Sequence, residues 1–464
     1  MRISPESSRG GLVWAPPAAA ALGFGLWGVT GPSFWRDEAA TAEVARRTVP
    51  RILDLLGHID AVHGFYYLVV HLFGTLFGDG ELALRFPSVL AGAVTAAGTA
   101  AIGRRLGGDA TGIVAGLLTA ASPLLIRYAQ EARPYAMETA AAVVATLLLL
   151  RALELDRRRD WAGYGAAIVL LGLFNVFGLL LLGAHLITAL PRWRPWALTA
   201  GPALLPLLPL VALAAGQRDE QVYWLARPTL TEVGYLVKIM SGAGWLIAPV
   251  LILAVLGAAL PDLRRTALGW LLVPPAVLIL VSLVHPLYTS RYVLFCAPAL
   301  FLLAAGGLTR LPRPVPLLGT AVLIAAALPV HVTQHRQDDR ADDLRALAGI
   351  LRRHEHRGDG LLFAITSQRM IMGAYPGPFA RLDDLAVAVP GERSGTLAGI
   401  MEPPGALAAR LAGVDRVWLV SRQVNPNAPG QDVDTARVAA LQQDFGRVKG
   451  WKFKGGYVSL YRRR

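Results

Sequence analysis

Apolar runs of membrane-crossing length follow one another along most of this chain, separated by short polar breaks. The first, "LVWAPPAAAALGFGLWGVTG" from residue 12, ends at "SFWRDEAAT", where Arg36, Asp37 and Glu38 stand at the point where lipid would give way to water. A bilayer core takes about 20 apolar residues per helix, and such runs recur to about residue 332. Beyond them "QHRQDDRADDLRALAGILRRHEHRGDG" has the charge density of a water-facing segment. There "DDLRALAGILRRHE" predicts a helix, "LLFAIT" and "DRVWLVS" predict strands, and "KGWKFKGGYVSLY" predicts a hairpin turning at Gly455-Gly456. The pattern therefore predicts a mostly α chain. A polytopic helical membrane domain over 1–335 carries a structured external loop at 32–85, and a small α/β domain occupies 336–464.

The loop at 32–85 must begin and end on the same face. Its stretches "VARRTVPRILDLLGHI" and "FYYLVVHLFGTLFG" are amphipathic or short for a span, so they read as helices lying at the membrane surface. Composition supports a membrane protein: 464 residues, 54% hydrophobic and 17% charged, with mean hydropathy +0.46, are too apolar for an ordinary soluble chain. The net charge of +13 could suggest a nucleic-acid partner, but the cations are scattered in short loops. Orientation explains them better, and no nucleic acid is expected. The lone Cys296 excludes an intrachain disulfide, and no GxGxxG follows a strand.

Basic clusters at Arg104-Arg105, "RALELDRRRD", "PRWRPW", "PDLRR" and "TRLPRP" fall on the cytoplasmic side by the positive-inside rule. About eleven spans then place the N-terminus inside and the C-terminal domain outside. This count requires "WAGYGAAIVLLGLFNVFGLLLLGAHLITAL" to be two spans broken near Asn175. The "MRISPESSRGG" start reads as the lead-in to an uncleaved first helix.

On this topology Asp37, Glu38, Asp60, His63, Tyr66, Tyr67, Arg85, Gln130, Glu131, Arg133, Tyr135, Gln217, Arg291 and Tyr292 all reach the outer boundary. Ionisable groups at such a boundary cost free energy unless they pair or line a wet cavity. A carboxylate can deprotonate an attacking hydroxyl, and arginine forks can hold a departing phosphate. A phosphate on a long lipid would reach such a site sideways from the bilayer. The competing readings are plain ones. Asp37-Glu38 also suits a helix N-terminus, and the arginines also suit headgroup snorkelling. Tyr66, Tyr67, Tyr223 and Trp224 also suit an aromatic belt, and Asp37, Glu38 and Glu131 together could hold a divalent metal.

The segments "FWRDEA", "DAVHGFYYLVVHLFGTLFG", "ELALRFPSVLAG", "RYAQEARPYAM" and "HPLYTSRYVLFCAPAL", in this order, resemble the successive motifs of the GT-C superfamily of integral-membrane glycosyltransferases. The branch resembled is that of the protein O-mannosyltransferases and lipid A aminoarabinose transferases, glycosyltransferase family 39-like. The resemblance implies an inverting sugar transfer, mannose first, from a polyprenyl-phosphate donor to a glycan or protein hydroxyl on the outer face of a cell membrane. It implies Asp37 as catalytic base with Glu38 beside it. It also implies His63, Tyr66, Tyr67, Arg85, Glu131, Arg133, Arg291 and Tyr292 as substrate-binding residues, and no obligatory metal or other cofactor. Where relatives often carry two prolines between the His and the Tyr pair, this chain has Gly64 and Phe65. A transporter or flippase of a lipid-linked glycan is the alternative, but it would show internal repeats and mid-membrane polar residues.

Overall fold

The computed structural model describes residues 12–218, 225–336, 339–422 and 434–464; the "MRISPESSRGG" start, Tyr223 and Trp224 lie outside them. The chain divides into two compact units. The first comprises 1–29, 85–215 and 225–333, and the second 30–84, 216–224 and 334–464.

The first unit is a helical bundle. Among the described residues six helices are long and apolar enough to cross a bilayer, or seven if Leu230–Ser241 and Gly244–Gly257, bent by 80°, form one span. That is fewer than the eleven expected, and the reason lies in where the chain breaks its helices. Glu81–Ala120 runs 40 residues, roughly 60 Å if straight and twice a bilayer core. It is not straight, because Gly108 at φ 88° breaks it. A Cβ on Gly116 would stand 2.8 Å from that of Ala100, two positions a continuous helix would hold roughly 24 Å apart. This element is thus a hairpin whose corner follows Arg104-Arg105. Val176–Gly216 is folded in the same way: Leu179 and Leu207 both approach Gly172, whereas one helix would separate them by roughly 40 Å. Arg158–Phe174, at 17 residues, and Ala15–Leu26, at 12, fall short of membrane-crossing length. The break expected near Asn175 is present, for Asn175 is extended and its side chain accepts from Phe177 N.

The middle of this unit is helix Ala297–Leu308, every residue of which is buried. A helix that is apolar all round has no solvent face to offer. Glycines let a neighbour approach it closely: a Cβ on Gly257 would fall 1.8 Å from Leu303 O, and one on Gly307 would fall 1.9 Å from Leu253 O. By contrast, helix Val315–Gln334 exposes Leu317, Leu318, Val322 and Val332, the outward apolar surface that lipid covers.

The second unit joins the loop expected at 32–85 to the C-terminal segment. The loop folds as helices Arg36–Ala45, Val49–His58 and Gly64–Phe77. The C-terminal part is a mixed sheet in the order β2-β1-β5-β7-β6, with strands β1 (Gly360–Phe363), β2 (Asp383–Asp384), β5 (Arg416–Arg422), β6 (Phe445–Phe453) and β7 (Gly456–Arg463). β3 (Val387–Val389) and β4 (Ile400–Met401) form a separate pair. β1 runs parallel to β2 and β5, while β7 is antiparallel to β5 and β6. Leu362, Val417, Leu419, Leu441 and Phe445 form the core beneath the sheet. The expected helix is Leu344–His354, capped by Asp343 on Ala346 N at 3.0 Å. The hairpin turns one residue early, with Gly455 at φ 100° and Gly456 already in β7.

Loop and C-terminal segment are tied by named bonds. Arg345 Nη2 meets Glu81 Oε1 at 2.5 Å, and the Tyr375 hydroxyl donates to the same oxygen. Burial, reinforced by that carboxylate, pushes the Tyr375 hydroxyl up to about 12, so it keeps its proton at any physiological pH. Arg46 Nη1 donates to Gly373 O at 2.5 Å and Arg47 Nη2 to Thr396 O at 2.7 Å.

Candidate functional site

One group of site candidates, acidic and aromatic, lies in the second unit. "RDEAATAEVA" starts a helix with Asp37 and Glu38 in its first turn, where the unpaired N–H groups of a helix start favour carboxylates. Asp37 is half-buried, and Glu38 is fully buried. Further along, Asp60 takes the left-handed conformation at φ 65°, a strain that a non-glycine residue sustains only when its surroundings fix it. They do so here. One Asp60 oxygen lies 2.5 Å from His63 Nδ1, and the Tyr67 hydroxyl donates to the other. The next backbone N–H, on Ala61, donates to Gln217 Oε1 at 2.9 Å, and Gln217 Nε2 donates to Leu56 O at 2.8 Å. Tyr66 and Tyr67 are fully buried with ring centroids 6.4 Å apart. Gly64 has a packing reason, since a Cβ there would stand 2.7 Å from Leu56 Cδ1. The sequence places Asp60 at the polar boundary without marking a role for it. The signal for one was the Asp60, His63, Tyr67 spacing of three and four, which stacks side chains on one helical face.

A second, cationic group lies in the first unit, around the ring of Tyr135. Ser122 caps helix Pro123–Ala129, the chain turns through "QEARP", and Tyr135–Leu155 begins directly after Pro134, a residue suited to a helix start. Arg291 enters from the tight turn Ser290–Cys296. The guanidinium carbons of Arg133 and Arg291 each lie 5.9 Å from the Tyr135 centroid, and that of Arg291 lies 5.8 Å from the Tyr292 centroid. These are cation–π distances. Two cations on one ring repel each other, and an anion beside them relieves that repulsion. Glu131 is buried and lies 3.5 Å from Arg127 Nε. Arg127 stands one helical turn before Glu131, the spacing of a helical ion pair.

Arg85 is fully buried and donates to Val29 O at 2.6 Å. Gln130 donates through Nε2 to the carbonyls of Phe24, Gly25 and Trp27 at 2.8–3.3 Å, satisfying orphan carbonyls at the end of the first helix. Asn175, to which the motif comparison gives no role, is connected to this group through its neighbours. Its Nδ2 donates to Glu138 Oε2 at 3.0 Å, and its turn presents Phe177, which stacks on Tyr292 at 4.6 Å. Among the described residues no group of three or more His, Cys, Asp or Glu is placed to hold a metal ion.

The sequence profile of the dolichyl-phosphate-mannose-protein mannosyltransferase family matches residues 65–216. The structure of ArnT from Cupriavidus metallidurans in the apo state aligns with 96% of this chain and 97% of its own, at 15% identity and a TM-score of 0.66. The chain has the GT-C fold. The undecaprenyl-phosphate-bound structure of the same ArnT aligns over the same shares at 15% identity and a TM-score of 0.57. The archaeal oligosaccharyltransferase AglB from Archaeoglobus fulgidus, in complex with an inhibitory peptide and a dolichol-phosphate, aligns at 12% identity and a TM-score of 0.51, covering 96% of this chain and 73% of its own. No curated protein sequence matches the chain. The chain is a membrane protein with several apolar helices of membrane-crossing length, and its small sheet lies in the C-terminal segment.

Proposed function

We propose that this GT-C protein transfers a sugar from a polyprenyl phosphate to an acceptor hydroxyl on the outer face of the membrane, with inversion. Asp37 takes the proton of the acceptor hydroxyl as its oxygen attacks the anomeric carbon. The bond from that carbon to the phosphate oxygen breaks, and Arg133 and Arg291 hold the phosphate that leaves. Glu38, His63, Tyr66, Tyr67, Arg85, Glu131 and Tyr292 shape the donor and acceptor positions, and mannose is the first sugar to test. The N-terminus is cytoplasmic and the C-terminal domain faces outward. The observation that carries this reading is the convergence of Arg133 and Arg291, from distant parts of the sequence, on the Tyr135 ring. A lipid monophosphate is an anion of the right charge for that pair, and the ArnT structure with undecaprenyl phosphate supports the choice.

The test is to incubate the purified protein in membranes with a panel of radiolabelled polyprenyl-phosphate sugars. One donor should lose its label to an acceptor. Asp37→Asn should abolish transfer while donor binding persists. Release or transfer from none of the panel would reject the reading, and turnover by Asp37→Asn at the wild-type rate would remove Asp37 as the base.

A further inference from the structure

The segment that leads into Asp37 is held by a series of bonds from the C-terminal domain. Arg345 N donates to Ser33 Oγ at 3.0 Å, and its guanidinium donates to Gly31 O at 3.1 Å and Thr30 O at 2.8 Å. Phe34 N donates to the Tyr375 hydroxyl at 3.1 Å. Both the backbone N and the Nε of Arg36 donate to one oxygen of Asp342, at 3.3 and 3.1 Å. Residues 30, 31, 33, 34 and 36 are therefore fixed one after another by Asp342, Arg345 and Tyr375.

The helix that follows is gripped along its length as well. A Cβ on Gly373 would fall 2.5 Å from both Ala39 O and Glu43 Cβ, so the turn Thr366–Gly373 lies directly on helix Arg36–Ala45. At the far end Arg46 and Arg47 bond the carbonyls of Gly373 and Thr396. Asp342 has a largely buried side chain, so its carboxylate is spent on Arg36 rather than offered to a substrate.

We propose that the C-terminal domain is the positioning element of the catalytic base: Asp342 and Tyr375 set the backbone of 33–36, and through it the direction of Asp37. This rests on the reading of Asp37 as base. A base displaced by about 1 Å loses orders of magnitude in rate while ground-state binding persists, so the signature of a positioning residue is a fall in kcat at constant KM for the donor.

The experiment uses the full-length protein with Asp342→Asn, Tyr375→Phe and, as a control on the exposed edge strand, Val448→Thr. Each is measured for transfer and for backbone amide exchange over residues 33–45. Tyr375→Phe removes a single oxygen and covers the case in which Asp342→Asn fails to fold. Both variants should exchange faster over 33–45 and lose kcat roughly tenfold to a hundredfold, with donor KM within about twofold of wild type; the control should match wild type in every readout. Faster exchange with unchanged kcat would overturn the positioning role, and so would unchanged exchange in both variants. If the wild-type chain itself transfers from no donor, the function reading fails, and exchange alone still decides whether the domain holds this helix.

Discussion

Arg133 and Arg291 share the Tyr135 ring, and that arrangement makes guanidinium chemistry specific. A planar fork can stack on a ring and hold two phosphate oxygens at once, whereas an ammonium is a point charge on a flexible stem. Arg133→Lys and Arg291→Lys should each raise donor KM or lower kcat by roughly tenfold or more, measured in the transfer assay; wild-type kinetics from either would show that charge alone suffices. Glu43 bears on stability rather than chemistry. Burial, the largest influence, raises its carboxyl above the usual value of 4.5, against the lowering effect of Arg47. A raised folded value means stability that is full below the unfolded value and lost as pH climbs through the folded one. Glu43→Gln should therefore flatten the fall in melting temperature over the pH units just above 4.5; an unchanged slope would show that Glu43 does not titrate on unfolding. Asp37 and Glu38 stand out in the sequence as candidates because charge at the end of an apolar run needs a reason, and the helix start that carries them is where the sequence puts it. Tyr135 was harder to read, since a tyrosine at a helix start looks the same whether it lines a belt or seats two arginines.

At the level of elements, the crossing of Ile247–Gly257 with Ala297–Leu308 depends on backbone meeting backbone. A methyl on Gly257 or Gly307 would overlap a carbonyl, and no side-chain rotation can relieve that. Gly307→Ala should destabilise the bundle by about 3 kcal/mol or more, read as lower yield and melting temperature in detergent. An unshifted melting temperature would mean that the helices part without cost. Close approach of this kind is invisible to hydrophobic periodicity, which registers that a helix is apolar and not what it touches. The same limit hides why so few helices stand out as long and apolar. Residue patterns marked the corners at Arg104-Arg105 and Asn175 correctly, but they could not show that helices on either side of a corner continue with so little interruption.

For the molecule as a whole, the second unit is assembled from stretches far apart in sequence. Local patterns predicted its helices and strands because propensity and period are local properties. They could not predict that 30–84 and 334–464 fold together, because that follows from pairings such as Arg36–Asp342 and Arg345–Glu81, which have no sequence spacing to recognise. The lone thiol has a practical consequence. Cys296 is fully buried, so the native chain should be silent toward maleimide, and sidedness could then be mapped without first engineering a cysteine-free background. Single cysteines placed at Arg105, Arg157 or Arg313 should resist a membrane-impermeant maleimide in sealed cells and react after permeabilisation, while cysteines at Asp79 or Lys452 should react at once. The opposite pattern would invert the orientation on which outward transfer depends, and one unlabelled parent would serve as the blank for every position tested.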